Sequence, residues 1–176
     1  ESLSPIVLWI DEIEKAMSAG SGSGDADGGL SRRLFGAFLT WLQEKKQEVF
    51  VVATANTLSA LPPELLRKGR FDEIFFVDLP DTDERTAIWA IHLGLRKQDR
   101  SQFNLPKLVD ASTGFSGSEI EQAVVAGLYR ALYHKQSLTT DLLIEELSHT
   151  VPLSVTRSEE IYQLRATAQG RFVNVR

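Results

Sequence analysis

The run Ile6–Ile10, IVLWI, passes without interruption into two carboxylates, Asp11 and Glu12. Adjacent acids can do hydrolytic chemistry, one as a hard oxygen ligand to a divalent cation, the other as a base on water. The dipeptide alone carries no such meaning. It recurs as Asp72-Glu73 and Asp83-Glu84, which read as a solvated loop and a helix start. What separates Asp11-Glu12 is the strand before it. Apolar residues that do not alternate with polar ones predict a strand buried on both faces, as in a parallel sheet. Such a strand delivers its last residues to the carboxyl end, where open α/β sheets bind ligands. A plain strand terminus with two solvated acids is the competing reading.

Other polar residues stand at comparable places. Asn56 closes the apolar run 49–53 in VVATAN, and Arg67 and Arg70 follow in ELLRKGRFDE. Taken alone, the two arginines read as surface salt-bridge formers. His92 lies at i+4 from Ile88 on an apolar helical stripe, where a lone histidine is ordinarily a satisfied core residue. Ser116 and Glu119 have capping-box spacing, with Gly117 between them.

The elements that must position these residues divide into two textures. Before Pro80 we expect strands at 6–10, 49–53 and 74–77. A helix carrying Leu34, Phe35, Phe38, Trp41 and Leu42 joins the first two, and a turn, a short helix and a loop follow the second. Residues 18–29 hold five glycines and read as a flexible loop. From 81 onward the pattern is helical, with no strand expected until the last few residues. Asp81 and Glu84 cap a helix whose buried face is expected to include Ile88, Ile91 and Leu95. Ser116 and Glu119 cap another, with Ile120, Ala123, Val124, Gly127, Leu128, Ala131 and Leu132 as its stripe. Further helices are expected near 139–149 and 157–168. Residues 1–80 therefore read as part of an α/β layer and 81–176 as a helical domain. Trp9, Trp41 and Trp89 read as core.

Composition narrows the partners. The 176 residues carry a formal charge of −5 and a pI near 5.3, against a basic nucleic-acid surface. There is no cysteine, so disulfides and cysteine-based zinc sites are excluded. No run has the length of a membrane-spanning helix, and no HExxH zinc motif occurs. The chain begins at Glu1 and enters a strand within a few residues, which reads as a segment of a longer protein.

Taken in order, these motifs resemble the AAA family of ATPases, in particular its FtsH-like members. Residues 6–12 look like the Walker B strand, ATAN is similar to the sensor-1 segment, LLRKGRFD looks like the arginine-finger segment, and TGFSGSEI resembles the start of the lid helix. The resemblance covers roughly residues 4–150. VLWIDEIEK further resembles an AAA group of cyanobacteria and algal plastids. The implied fold is a partial P-loop NTPase sheet layer in 1–80, followed by an all-helical lid subdomain with a C-terminal extension in 81–176.

The implied chemistry is ATP hydrolysis with Mg²⁺. Asp11 would hold the ion, through water; Glu12 would orient and deprotonate the attacking water; Asn56 would hold that water or a γ-phosphate oxygen. Arg67 and Arg70 would reach a neighbouring subunit's ATP, which requires a ring, expected to be hexameric. His92 would lie against the ribose or base, and Ser116 and Gly117 near the adenine. The implied role is remodelling or unfolding of a protein substrate, in the cytoplasm or a plastid stroma. A non-hydrolysing scaffold and a nucleic-acid-directed loader are the alternatives. Retention of Asp11, Glu12, Asn56, Arg67 and Arg70 argues against the first, and the acidic balance against the second.

Two departures from the family pattern carry expectations of their own. No G-x-x-x-x-G-K-[ST] occurs in the 176 residues, so the chain by itself should bind ATP weakly or not at all and should not hydrolyse it. The glycines at 20–29 do not substitute, because a P-loop needs a preceding strand and a closing Gly-Lys-Ser/Thr, and no lysine follows these glycines. Their place resembles the family's second pore loop, or is a solvated connector. The strand at 74–77 should lack its usual neighbour, so a rearranged sheet, or one completed by a second copy, is expected. The second departure is Thr54-Ala55-Asn56 where the family has Ala-Thr-Asn, which should carry the hydroxyl to the opposite face of its strand.

Overall fold

The computed structural model describes residues 5–18, 25–67 and 69–175, with only the backbone for 16–18 and 25–32. The chain separates into two compact units, residues 1–75 and 76–176.

In the first unit, β1 (Ile6–Ile10) pairs in parallel with β2 (Val49–Ala53), from Ile6 opposite Val49 to Ile10 opposite Ala53. Parallel pairing needs a crossover. Here it contains α1 (Ile13–Ser18) and α2 (Asp25–Glu44). The helix α2 begins at Asp25 and includes Gly28 and Gly29, so the expected loop over 18–29 is shorter than composition implied. Residues 19–24 of that stretch lie outside the described residues. Ile13, Leu39, Leu61 and Leu65 form a small core against which Ile10, Phe38 and Ala53 pack.

The expected burial of β1 on both faces is not observed. Val7 is 68% and Trp9 62% exposed, and Phe50 beside Val7 on β2 is 68% exposed. Residues one apart on a strand face opposite sides. The helices supply apolar cover to the Ile10–Ala53 side, and no described residue buries the Val7–Trp9 side. Trp9 is therefore not a core residue, whereas Trp89 is fully buried and Trp41 half-buried.

The second unit is helical. Its principal helices are α3 (Thr82–Leu95), α4 (Leu105–Ala111), α5 (Gly117–Tyr133) and α6 (Thr140–Ser148). Trp89, Leu93, Leu108, Ile120, Val124 and Leu143 lie at the centre of their shared core. Asp81 and Ser116 both make full capping boxes with Glu84 and Glu119, as their spacing predicts. Asn104 and Thr139 cap α4 and α6 through single side-chain acceptors. The fully buried Ser112 hydroxyl accepts from Trp89 Nε1 at 3.0 Å and donates to the Leu108 carbonyl at 2.8 Å. Gly114, just ahead of the α5 cap, has φ +82°, and a Cβ there would collide with the Ser154 hydroxyl.

Two apolar faces differ from expectation. On α3 the buried residues are Arg85, Trp89 and Leu93, while Ile91 and Leu95 are exposed. On α5 the stripe holds through Ala131, but Leu132 is exposed. The buried face of α3 follows the i+4 ladder Arg85, Trp89 and Leu93, rotated from the Ile91–Leu95 side, and that of α5 ends at Ala131.

Two shorter helices follow, α7 (Leu153–Thr156) and α8 (Ser158–Ala168), and then β4 (Val173–Asn174). The expected strand at 74–77 shrinks to β3 (Phe75–Phe76), which pairs with β4 instead of joining the β1–β2 sheet. Val175 N–H donates to the Phe76 carbonyl at 3.2 Å, and Arg165 Nε reaches both Asp78 carboxylate oxygens at 3.0 and 2.9 Å. The rearranged sheet thus takes its partner strand from the chain's own tail.

Candidate nucleotide site

At the carboxyl end of β1 the chain must turn from strand into α1. Glu12 makes that turn with φ +49°, a left-handed conformation uncommon for a residue with a side chain. The ladder continues around it. Thr54 N–H donates to the Ile10 carbonyl and Ile13 N–H to the Thr54 carbonyl, both at 2.9 Å. The Thr54 hydroxyl completes the turn by accepting from Glu12 N–H at 2.9 Å and donating to Asp11 Oδ1 at 2.5 Å.

This corrects the expectation that the displaced hydroxyl points away. Residue 54 lies one past the last paired position of β2, where the strand has begun to turn and strict alternation no longer holds. Thr54 is a site-building residue that sequence reasoning set aside.

Asn56 joins the same network. Its Nδ2 donates to Glu12 Oε1 at 3.0 Å, and its backbone N–H donates to Glu14 Oε1 at 2.9 Å. Glu14 is buried, at 6% exposure, and was not foreseen. No helical spacing signals it, because Glu14 is only the second residue of α1. Lys15 completes the cluster, with Nζ 2.5 Å from Glu12 Oε2. The Glu12 hydrogen bond and charge raise the Lys15 pKa above its ordinary value. Both carboxylate oxygens of Glu12 are thus occupied, whereas Asp11 uses only Oδ1 among the described residues.

Arg67 is exposed and Arg70 half-buried. Neither forms an ion pair among the described residues, and Arg70 keeps one buried guanidinium nitrogen without a hydrogen-bond partner there. No hydrogen bond links either arginine to Asp11, Glu12 or Asn56 among the described residues.

His92, Ser116 and Gly117 belong to the second unit. His92 is not a core histidine. Its Nδ1 lies 3.4 Å from Arg96 NH1 and 3.7 Å from Glu121 Oε1, and Arg96 NH2 donates to Glu121 Oε1 at 2.7 Å. The Arg96 hydrogen bond holds the Glu121 carboxyl below the usual carboxylate range, helped by the charges of His92 and Arg96. Ser116 N–H and hydroxyl both donate to Glu119 Oε2, at 2.7 and 2.8 Å. Glu119 Oε1 accepts from Leu153 N–H at 2.8 Å. A Cβ on Gly117 would meet Ile88 Cδ1 at an ordinary 3.5 Å, so packing does not demand a glycine there.

Residues 1–79 match the family model described as ATPase family associated with various cellular activities (AAA). By this match, residues 1–79 belong to the AAA family. Over 176 residues it is 46% identical to the uncharacterized AAA domain-containing protein ycf46 of Pyropia yezoensis, covering 99% of this chain and 35% of that protein. It is also 33% identical over 155 residues to the probable inactive ATP-dependent zinc metalloprotease FTSHI 4, chloroplastic, of Arabidopsis thaliana, covering 83% of this chain and 18% of that one. The crystal structure of the FIGL-1 AAA domain superposes with a TM-score of 0.72 at 18% identity, over 94% of this chain and 57% of that chain. The AAA segment thus spans about a third of the length of its ycf46 relatives. Its fold is a partial AAA α/β layer with a helical lid. Among its described residues no helix is long and apolar enough to cross a membrane.

Proposed function

We propose that this segment is the acid-bearing half of an ATP-hydrolysing pocket, belonging to a protein that works as a ring on protein substrates. Residues 1–80 are then the carboxyl-terminal part of the large subdomain and 81–176 the lid with its extension. The observation that carries the reading is the network joining Asp11, Glu12, Thr54 and Asn56 at the carboxyl end of a parallel strand pair. A mere strand terminus has no need to tie the Asp11 carboxylate and the Glu12 N–H to one hydroxyl.

The donor set fits Mg²⁺ with ATP. Magnesium needs only one or two protein oxygens beside waters and phosphates, and Asp11 Oδ2 is left without a partner among the described residues. The ion, when bound, supplies charge neutralisation on the phosphates. Asp11 would hold it, with Thr54 fixing the carboxylate's angle. Glu12 would accept a proton from the attacking water, which requires Lys15 to swing off Oε2; that side chain is 70% exposed and free to do so. Asn56 Nδ2 keeps Glu12 Oε1 aimed meanwhile. Arg67 and Arg70 would stabilise charge on a neighbour's transferring phosphoryl group. His92, Ser116 and Gly117 would border the nucleoside. Of the two expected locations, cytoplasm and plastid stroma, the second draws support from the chloroplastic name of one relative.

Turnover assays test this. In the longer protein, Glu12→Gln should cut kcat by ~10²–10⁴ while sparing ATP binding, and Arg70→Ala should abolish turnover with binding retained. The 176-residue chain alone should show no Mg²⁺-dependent turnover. Hydrolysis by the isolated chain, or undiminished turnover after Glu12→Gln, would overturn the assignment. A second reading, a non-hydrolysing AAA scaffold, draws support from the relative named as probably inactive. It predicts no turnover in the longer protein either.

A further inference from the structure

We propose that Arg96, itself anchored by Glu121, locks His92 in the Nε2–H tautomer, so that His92 offers a donor to a neutral acceptor atom of the bound nucleoside. This rests on the reading of His92 as a nucleotide neighbour; the tautomer itself does not.

The geometry runs through an asymmetry of donors. A guanidinium has only N–H donors and no acceptor, and it stays charged. Arg96 NH1 is aimed at His92 Nδ1 at 3.4 Å, so that nitrogen must offer its lone pair. A proton on Nδ1 would confront an arginine N–H. Among the described residues Nδ1 has no hydrogen-bonding acceptor, since Glu121 Oε1 is 3.7 Å away, beyond hydrogen-bond reach. Arg96 cannot drift off, because NH2 is held by Glu121 at 2.7 Å, while NH1 also approaches the His92 carbonyl at 3.4 Å. Neutral histidine carries one ring proton, which must then sit on Nε2. Among the described residues Nε2 has no hydrogen-bond partner, and the His92 side chain is 18% exposed. A histidine tethered at one nitrogen and open at the other is arranged to read a ligand. Arg96 and Glu121 are positioning residues, with no contact to the ligand required of them.

Long-range ¹H–¹⁵N correlation spectra of the ligand-free 176-residue chain report ring protonation directly. They should be taken at a pH of about 8, above the ordinary imidazole range near 6.5, with His92 assigned by its loss in His92→Gln. The expected result is an unprotonated Nδ1 and a protonated Nε2. Arg96→Met should move Nδ1 toward its protonated shift, because Glu121 is then the nearest partner, and Arg96→Lys should restore the original pattern. A protonated Nδ1 in the unmodified chain overturns the proposal, as does an unchanged ring in a folded Arg96→Met variant. If Arg96→Met does not fold, the unmodified spectrum alone decides.

For the ligand half, the longer protein's affinity for ATP should fall by ~2–10-fold in Arg96→Met, the size of one hydrogen bond. Combining it with His92→Ala should add nothing further. Full additivity overturns action through His92. A protein that binds no nucleotide overturns the ligand half together with the functional reading, and leaves the tautomer to the spectra.

Discussion

The two units handle their apolar surface differently. The helical unit encloses Trp89, Leu93, Leu108, Ile120, Val124 and Leu143 and caps its helices with side chains it carries itself. The sheet unit has a much smaller buried set and turns Val7, Trp9 and Phe50 to solvent. Both use apolar residues freely, so composition does not separate them. What separates them is whether the sequence between the apolar residues supplies a second layer. A helix can bury one stripe on neighbouring helices, whereas a parallel strand needs cover on both faces. The AAA segment therefore holds a self-sufficient lid and a sheet that is covered on one side.

That contrast breaks if core deletion in the lid proves cheap. Trp89→Ala should cost about 3–5 kcal/mol in chemical denaturation of the lid, the usual range for a buried aromatic, with the Ser112 hydroxyl losing a donor besides. Gly114→Ala should come next, at roughly 1 kcal/mol or more, because an alanine at φ +82° is strained and its methyl meets Ser154. Ser116→Ala should cost about 1 kcal/mol through the lost cap, with Ser116→Thr largely preserving it. Acidification sharpens the contrast in a graded way. Glu121 has a depressed folded pKa, so its contribution is complete above the ordinary value of 4.5 and is lost as pH falls through the folded value. The carboxylate is 41% exposed, so the effect is small, and Glu121→Gln should remove that pH dependence from a thermal-melt series. Smallest of all, Trp9→Ser should shift stability by no more than about 0.5 kcal/mol. A loss as large as that of Trp89→Ala would mean that the exposed face of β1 is covered.

Much of this was legible beforehand. The capping boxes at Asp81 and Ser116 and the α6 and α8 helices follow from spacing, because each depends on residues a few positions apart. That Asp11, Glu12 and Asn56 come together was legible because strands deliver their last residues to one end. Thr54 and Glu14 were not. Thr54 acts across 43 residues of sequence on Asp11, and Glu14 across 42 on Asn56, distances over which no periodicity speaks. The single-faced burial of β1 was also hidden, since an apolar run records what a strand can tolerate, not what lies against it. The β3–β4 pairing escaped for a similar reason, because two-residue strands carry too short a pattern to register.

The contrast between Trp9 and Trp89 has a practical consequence. The indole in the lid is sealed from solvent and the one on β1 is open to it, so the two should differ in emission colour and in susceptibility to a soluble quencher. With Trp41 of the first unit replaced by phenylalanine, each unit carries its own optical gauge. Anything that settles on the bare side of the sheet should register as a blue shift and shielding of the Trp9 signal alone, with the Trp89 signal serving as an internal standard.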